Sequence, residues 1–249
     1  MKLSTITIVL ASLVQVYSTD LIAQEDDPSS LILVQLHYGI QTPGADLANR
    51  FGTNFNLGGN IAFLSPSNLF LSLTYNFLFG SNVKEDVLSP IRTVEGLIIG
   101  QDQQFANLFM RERGQYAAGI AGTLLPINRD RNASSGILLA AGIGVLKHKI
   151  RFVDDFDSVA PLFHPYSKGY DRLTSGLALV QHVGYLHLGK DAMLNFFAGF
   201  DLVQGFTKNR RGYNYDQGAF DDANRTDLLV GFRLGWIFPL LLGERTIYY

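Results

Sequence analysis

The chain has no cysteine, so any chemistry it performs falls to its histidines, carboxylates, hydroxyls and cations. Its histidines are His37, His148, His164, His182 and His187. None has a serine and a carboxylate at a spacing that strand geometry would draw together for nucleophilic catalysis, and no pair has metal-ligand spacing. His37 and His148 are candidates for a rim position, where an acid or base would meet substrate; lone polar histidines are the plainer reading. Asp154, Asp155 and Asp157, with Asp216, Asp221 and Asp222, would offer carboxylates to a calcium ion if two loops met, and otherwise serve as solvated loop tips. Lys208, Arg210 and Arg211 form a short basic run suited to phosphate groups. Asn132, Ala133 and Ser134 match a glycosylation sequon. Asp201 and Arg233 are of another kind, because each stands alone inside a long apolar stretch.

Those stretches repeat with the two-residue period of a strand. Eight are distinguishable: Leu31 to Ile40, Asn54 to Phe63, Leu69 to Phe79, Gln115 to Leu125, Ile137 to Leu146, Gly176 to Leu188, Ala192 to Phe206 and Leu228 to Phe238. In the last, Leu228, Val230, Phe232, Leu234, Trp236 and Phe238 share one face, with Leu229, Gly231, Arg233, Gly235 and Ile237 on the other. Asp201 and Arg233 are the only Asp, Glu, Lys or Arg residues in all eight segments. A soluble sandwich would place charges on its wet face, whereas a strand facing lipid loses about 2 to 4 kcal/mol for a midplane Lys or Arg. No later segment reaches the roughly 18 apolar residues of a membrane helix. The longest candidate, Gly136 to Leu146, is broken by glycines.

The connections alternate without exception. Long ones (Gln41 to Thr53, Gly80 to Gly114, Lys147 to Ser175, Thr207 to Asp227) are separated by short ones. This predicts an all-β fold: an eight-stranded antiparallel transmembrane β-barrel with long extracellular loops, short periplasmic turns and both termini in the periplasm. The N-terminus predicts how the chain reaches the cell outer membrane. Lys2, the apolar run Ile6 to Val14 and the Leu21-Ile22-Ala23 site read as a signal peptide over 1–23, leaving 24–249 as the barrel. Pro239, which cannot donate a ladder bond, is expected to stop the last strand, so 239–249 becomes a short periplasmic tail.

In this frame Asp201 and Arg233 both face the lumen, and the seventh and eighth segments form a hairpin whose register sets Arg233 opposite Gly199. An ion pair plugging the lumen follows, in a barrel just wide enough for side chains to fill. Lys208, Arg210 and Arg211 come to the outer rim, where lipopolysaccharide phosphates lie. Tyr38, Phe77, Phe79 and Tyr116 outside, with Phe63, Tyr185, Trp236 and Phe238 at the periplasmic level, read as interfacial girdles. Apolar patches at Gly96 to Ile99 and Ala106 to Met110 predict that the third and fourth strands continue outward as a hairpin, a candidate partner surface. The formal charge of −2 gives no basic excess for nucleic acid.

The run Gly169 to Thr174 leading into Gly176 to Leu179, then Ala198, Gly199, Phe200, Gln204, Gly205, Phe206, Asn209, Arg210 and Arg211, then Gly235, Trp236, Ile237, Pro239 and the Tyr248–Tyr249 end, resembles small outer-membrane barrels of the Bacteroidota. These are the PorT- and PorG-like proteins associated with the type IX secretion system. The resemblance implies a non-enzymatic scaffold or accessory subunit of an envelope secretion machine, with other envelope proteins and outer-membrane lipids as partners and no cofactor. Two alternatives stay open: a stand-alone barrel that binds or passes a small apolar molecule, and an outer-membrane lipid-modifying enzyme.

Overall fold

The computed structural model describes residues 30–127, 135–189 and 194–241. The expected leader over 1–23, the sequon at Asn132, the start of the seventh segment at Ala192 and the tail from 242 onward lie outside the described residues. The elements are β1 (Leu31–Gly44), α1 (Ala45–Arg50), β2 (Asn54–Leu64), β3 (Leu69–Gly80), β4 (Leu108–Pro126), β5 (Gly136–Asp154), β6 (Thr174–Leu188), β7 (Asn195–Asn209), the two-residue strands β8 (Tyr213–Asn214) and β9 (Ala219–Phe220), and β10 (Asn224–Leu241). Strands β1 to β7 and β10 close into one antiparallel barrel, with β10 pairing to both β7 and β1. β8 and β9 form a separate small hairpin in the last long loop.

Alternation decides which side chains go where. On β3, Leu69, Leu71, Leu73, Tyr75 and Phe77 point outward and are exposed, while Phe70, Ser72, Thr74, Asn76 and Leu78 are buried inside. On β10, Val230, Phe232, Leu234, Trp236 and Phe238 point outward. With Leu36, Tyr38 and Ile40 of β1 and Leu57 and Ile61 of β2, they make a continuous apolar exterior. So large an exposed apolar surface is stable only in lipid. The protein is a transmembrane barrel of the cell outer membrane, its long loops extracellular and its turns periplasmic.

The interior has three layers. At the periplasmic end Leu33, Leu64, Phe70, Leu124, Leu186, Phe197 and Ile237 pack into an apolar plug. Above it, β1 to β3 contribute Gln35, His37, Asn56, Asn60, Ser72, Thr74 and Asn76, all buried, level with Ala118 and Ile120 of the adjoining β4 and with Ala178 and Val180 of β6. A second apolar cluster closes the outer end, where Leu47, Phe51, Val87, Leu88, Ile98 and Val159 fold in from α1 and the loops onto Leu78, Leu146 and Ile150.

Three expectations are corrected. First, the outward hairpin is not β3 with β4. β3 ends at Gly80, while β4 continues upward against β5, from Gly80's neighbour Glu112 to the terminal pair Leu108–Asp154. The patch at Gly96 to Ile99 instead folds back, with Ala106 N–H donating to the Ile98 carbonyl at 2.8 Å and Ile98 turned into the core, because apolar side chains find more cover over the barrel mouth than beside it. Second, Tyr116 is no girdle residue: its phase on β4 points it inward, where it is 1% exposed. Third, Pro239 does not stop the last strand. β10 runs on to Leu241, pairing Pro239 with Leu33 of β1. Its ladder with β7 ends at Trp236–Phe196, so Pro239 sits where β10 has a single neighbour, the edge setting that tolerates a missing N–H. Among the described residues the β6–β7 ladder begins at Leu188–Asn195.

Candidate functional site

The lumen site is built on three adjacent strands. Arg233 of β10 stands opposite Gly199 of β7, and Asp201 stands opposite Gly231 of β10 on one side and His182 of β6 on the other. Glycine at 199 is a requirement of space, because a Cβ there would come to 2.6 Å from the Val183 carbonyl and 3.0 Å from the His182 ring. The structure brings Arg233 Nε to 3.1 Å from Asp201 Oδ2, at ion-pair distance though off the line of a hydrogen bond. His182 Nδ1 lies 2.5 Å from Asp201 Oδ1. A ring N–H that donates to this carboxylate cannot also accept from Arg233, so the 3.2 Å approach of Arg233 Nη2 to the same nitrogen is a contact rather than a second bond. The guanidinium also stacks over Phe197, 5.0 Å from the ring centroid. His37 bonds Asn76 Oδ1 through Nε2 at 2.6 Å across the same layer. Asp201, Arg233 and His182 are each under 5% exposed, shut from bulk water by the apolar clusters above and below.

The second polar site closes the outer mouth and draws on every long connection. Arg50 at the end of α1 donates through Nε to Glu85 at 2.7 Å and through Nη1 to Thr174 Oγ1 at 3.0 Å. Arg172 donates to the other Glu85 oxygen at 2.8 Å and to Asp216 at 2.6 Å. Arg211 grips Asp171 with two bonds of 2.9 and 2.6 Å, and Arg225 meets Asp221 at 2.6 Å. Just below, His148 Nε2 lies 2.8 Å from Asp227, which also accepts from Thr207. Burial pushes the Glu85 carboxyl up, but Arg50 and the hydrogen bonds from Arg172 and Arg50 outweigh it and hold it below its ordinary range. Asp221 is likewise held low against burial, by Asn209, Asn214 and Arg225. The network fastens the loops to one another through charge-assisted bonds, with both oxygens of Glu85 and of Asp171 engaged by arginines.

These contacts redistribute the residues singled out by sequence. Arg211 is engaged by Asp171, and Arg210 donates to the Ser175 side chain and carbonyl at 2.9 and 3.0 Å. Lys208 faces outward and is exposed, with no carboxylate in ion-pair range among the described residues. The two aspartate triplets are not brought together: Asp154 caps its own turn through Val159 N–H at 2.9 Å, while Asp216 and Asp221 are held by arginines. No cluster of three or more potential metal ligands occurs among the described residues. His187 lies 3.2 Å from Ser135 Oγ at the periplasmic end, with no carboxylate in ion-pair contact among the described residues. Thr207 donates to Asp227 rather than to His148, so that trio lacks the order of a nucleophile, base and orienting acid. Sequence reading missed His182, Arg50, Glu85, Asp171, Arg172 and Asp227. Only His182 carried a usable signal, its inward phase on β6.

No protein-family model matches the chain, and no curated protein matches it at a significant level. Among solved structures, a major outer membrane protein from Thermus thermophilus is similar, with 12% identity, 83% of this chain and 99% of that one covered, and a TM-score of 0.40. The attachment invasion locus protein Ail of Yersinia pestis, in complex with the heparin analogue sucrose octasulfate, aligns with 10% identity over 84% of this chain and 99% of its own, at a TM-score of 0.37. The N-terminal barrel domain of Pseudomonas aeruginosa OprF aligns with 11% identity over 83% and 97%, also at 0.37.

Proposed function

We propose that this barrel is a non-enzymatic scaffold or accessory subunit of an envelope protein-secretion or assembly machine, of the type IX kind. The observation that carries the reading is the closed interior: two apolar clusters seal the polar layer from both sides, so the molecule acts through its surfaces and not through its lumen. Support for the choice of machine comes from the resemblance of the C-terminal third to barrels of the Bacteroidota. Partners have surfaces to meet at both ends, Ile127, Leu194 and Leu240 being exposed toward the periplasm and Phe156, Tyr215 and Phe220 on the outer loops. Its other contacts are outer-membrane lipids, including lipopolysaccharide, for which Lys208 is the member of the basic run without an ion-pair partner among the described residues.

The test is deletion and replacement in the native host. Loss of the barrel should abolish surface delivery of the machine's cargo, and the tagged barrel should co-purify with defined envelope proteins in mild detergent. Normal cargo delivery in the deletion strain, together with a barrel that purifies alone, would overturn the reading.

A further inference from the structure

The outer ends of β4 and β5 rise above the apolar band as a paired ladder in which five of the eight outward residues from Phe109 to Gln115 and from Lys147 to Val153 are cations. Arg111 stands directly opposite Arg151, Arg113 opposite Lys149, and Gln115 opposite Lys147. Their inward neighbours, Glu112 and His148, are buried and bonded to Asn54 and Asp227, and among the described residues neither forms an ion pair with an outward cation. Like charges placed directly across a strand pair oppose folding, and here two such pairs follow one another. Lys149 has a carboxylate only at 3.8 Å, Asp171, which already holds Arg211 with two bonds. Among the described residues Arg111, Arg151 and Lys147 have no ion-pair partner. Arg113 is held against the barrel wall over Phe77, 5.9 Å from the ring centroid. Lys208 joins the same belt: Lys147 and Lys208 flank Ser175 in one cross-strand row, about 10 Å apart at two strand spacings.

Beneath this ladder the barrel exterior is hollowed. Outward positions on β4 are Ala117, Gly119 and Ala121, where its neighbours carry Leu71, Leu73, Ile143 and Val145. The resulting apolar groove, about 760 Å³, is lined by Ile61, Leu73, Gly119, Ala121 and Ile143 among others. Arg113 and Gly119 share one face of one strand, six residues or about 20 Å apart. At a strand tilt of about 40° that is about 15 Å of depth, half of a hydrocarbon core of about 30 Å. The spacing matches one leaflet.

We propose that the β4–β5 ladder and the groove below it form a binding site for a phosphorylated glycolipid of the outer leaflet, lipid A in chemical class, with its phosphates on the cations and acyl chains along Ala117, Gly119 and Ala121. Charge complementarity selects this occupant. Two successive like-charge pairs call for more negative charge than the single phosphate of a phospholipid supplies, while the small side chains at Ala117 and Gly119 leave room for hydrocarbon below the phosphates and the groove takes the chain ends near the midplane. The inference deepens the lipopolysaccharide contact proposed above, extending it from Lys208 to the β4–β5 ladder, and shares with the scaffold reading only the membrane placement.

The experiment titrates the delipidated full chain, in detergent, with bis-phosphorylated lipid A and reads bound lipid by native mass spectrometry. Heat-modified gel mobility reports folding of each variant. Three probes run alongside: dephosphorylated lipid A, phosphatidylglycerol and inorganic pyrophosphate as competitor. The R111Q/R113Q/K149Q/R151Q variant should bind lipid A at least tenfold more weakly, and G119L several-fold more weakly. Gly119 accepts a side chain without collision, its nearest neighbour to a new Cβ being Leu73 at 3.8 Å. Raising the salt from about 0.1 to about 1 M should weaken native binding and leave the quadruple variant nearly unchanged. The exposed-loop variant R92Q should bind as the native chain does. Equal binding by the folded quadruple variant, equal binding of dephosphorylated lipid A or phosphatidylglycerol, or complete displacement by pyrophosphate would each overturn the proposal. Co-purifying envelope proteins are scored on the same variant, so lipid loss with partners retained supports this site alone, and partner loss with lipid retained counts against it.

Discussion

Replacing Asp201 by alanine tests the lumen layer most directly. The substitution leaves Arg233, 4% exposed, without a counter-charge in a sealed interior, and leaves the His182 N–H without its acceptor. Stranding one member of a buried ion pair costs about 3 to 5 kcal/mol. The His182 bond, worth about 1.5 to 3 kcal/mol as a bond to a charged group, belongs to the same network and does not simply add. The single variant should therefore lose about 4 kcal/mol. The double variant Asp201→Leu, Arg233→Met removes both charges in similar volume but still leaves the His182 N–H without an acceptor, and should lose about 2 kcal/mol. The gap of about 2 kcal/mol is about thirtyfold in the folding equilibrium. Reversible urea unfolding in lipid vesicles, followed by the gel shift between folded and unfolded forms, measures it from midpoints at constant m. Equal destabilisation of the single and double variants would refute the pairing argument.

The outer network should give way to acid. Glu85 and Asp221 are held low by their cationic and hydrogen-bonding neighbours, so their contribution is present above the ordinary carboxylate range of about 4 and is lost as pH falls below it. Pepsin should then cut the outer loops at low pH while the barrel core survives; loops equally resistant at about pH 3 and in mildly acidic buffer would count against this. Arg172→Ala removes the bonds to Glu85 and Asp216 and should lower loop protection in hydrogen exchange by about 2 kcal/mol, leaving the strand amides unchanged. Planar-bilayer recordings should show no porin-like conductance, since the interior is filled at both ends. Truncation after Phe238 removes Pro239, Leu240 and Leu241, the partners of Leu33, Ile32 and Leu31, and should make the start of β1 protease-sensitive from the periplasmic side.

The membrane part of the fold was legible because lipid enforces a strict rule: outward positions must be apolar, and two lone charges in opposite phase to them must face in. The β7–β10 hairpin register followed from counting across one loop, and the structure has Arg233 opposite Gly199. His182 escaped because its partner depends on the neighbouring turn. Starting the seventh strand at Ala192 shifts the β6–β7 register by several residues, and only the true pairing sets His182 beside Asp201. The upward run of β4 and β5 escaped for the opposite reason. Arg111, Arg113, Lys147, Lys149 and Arg151 keep the two-residue period, but their charge marks them as loop when the test for a strand is apolarity. Nothing local announces the outer network, whose members Arg50, Glu85, Arg172 and Asp216 come from four separate connections and meet only once the barrel has closed.

That closure has a kinetic side. The seam between β1 and β10 joins Leu31 to Leu241 and Gly44 to Leu228, contacts between opposite ends of the chain. Such pairings are among the slowest to form, because the entropy of bringing distant segments together is lost before any bond rewards it. Until β10 arrives, β1 and β7 both present open ladders, and an open strand edge templates the addition of another chain. An unfinished polypeptide of this kind is thus a hazard in the periplasm. The chain must be kept extended in transit and closed in one late step at the membrane, so a lesion in β10 should appear first as a failure of delivery, well before it appears as a failure of the finished barrel.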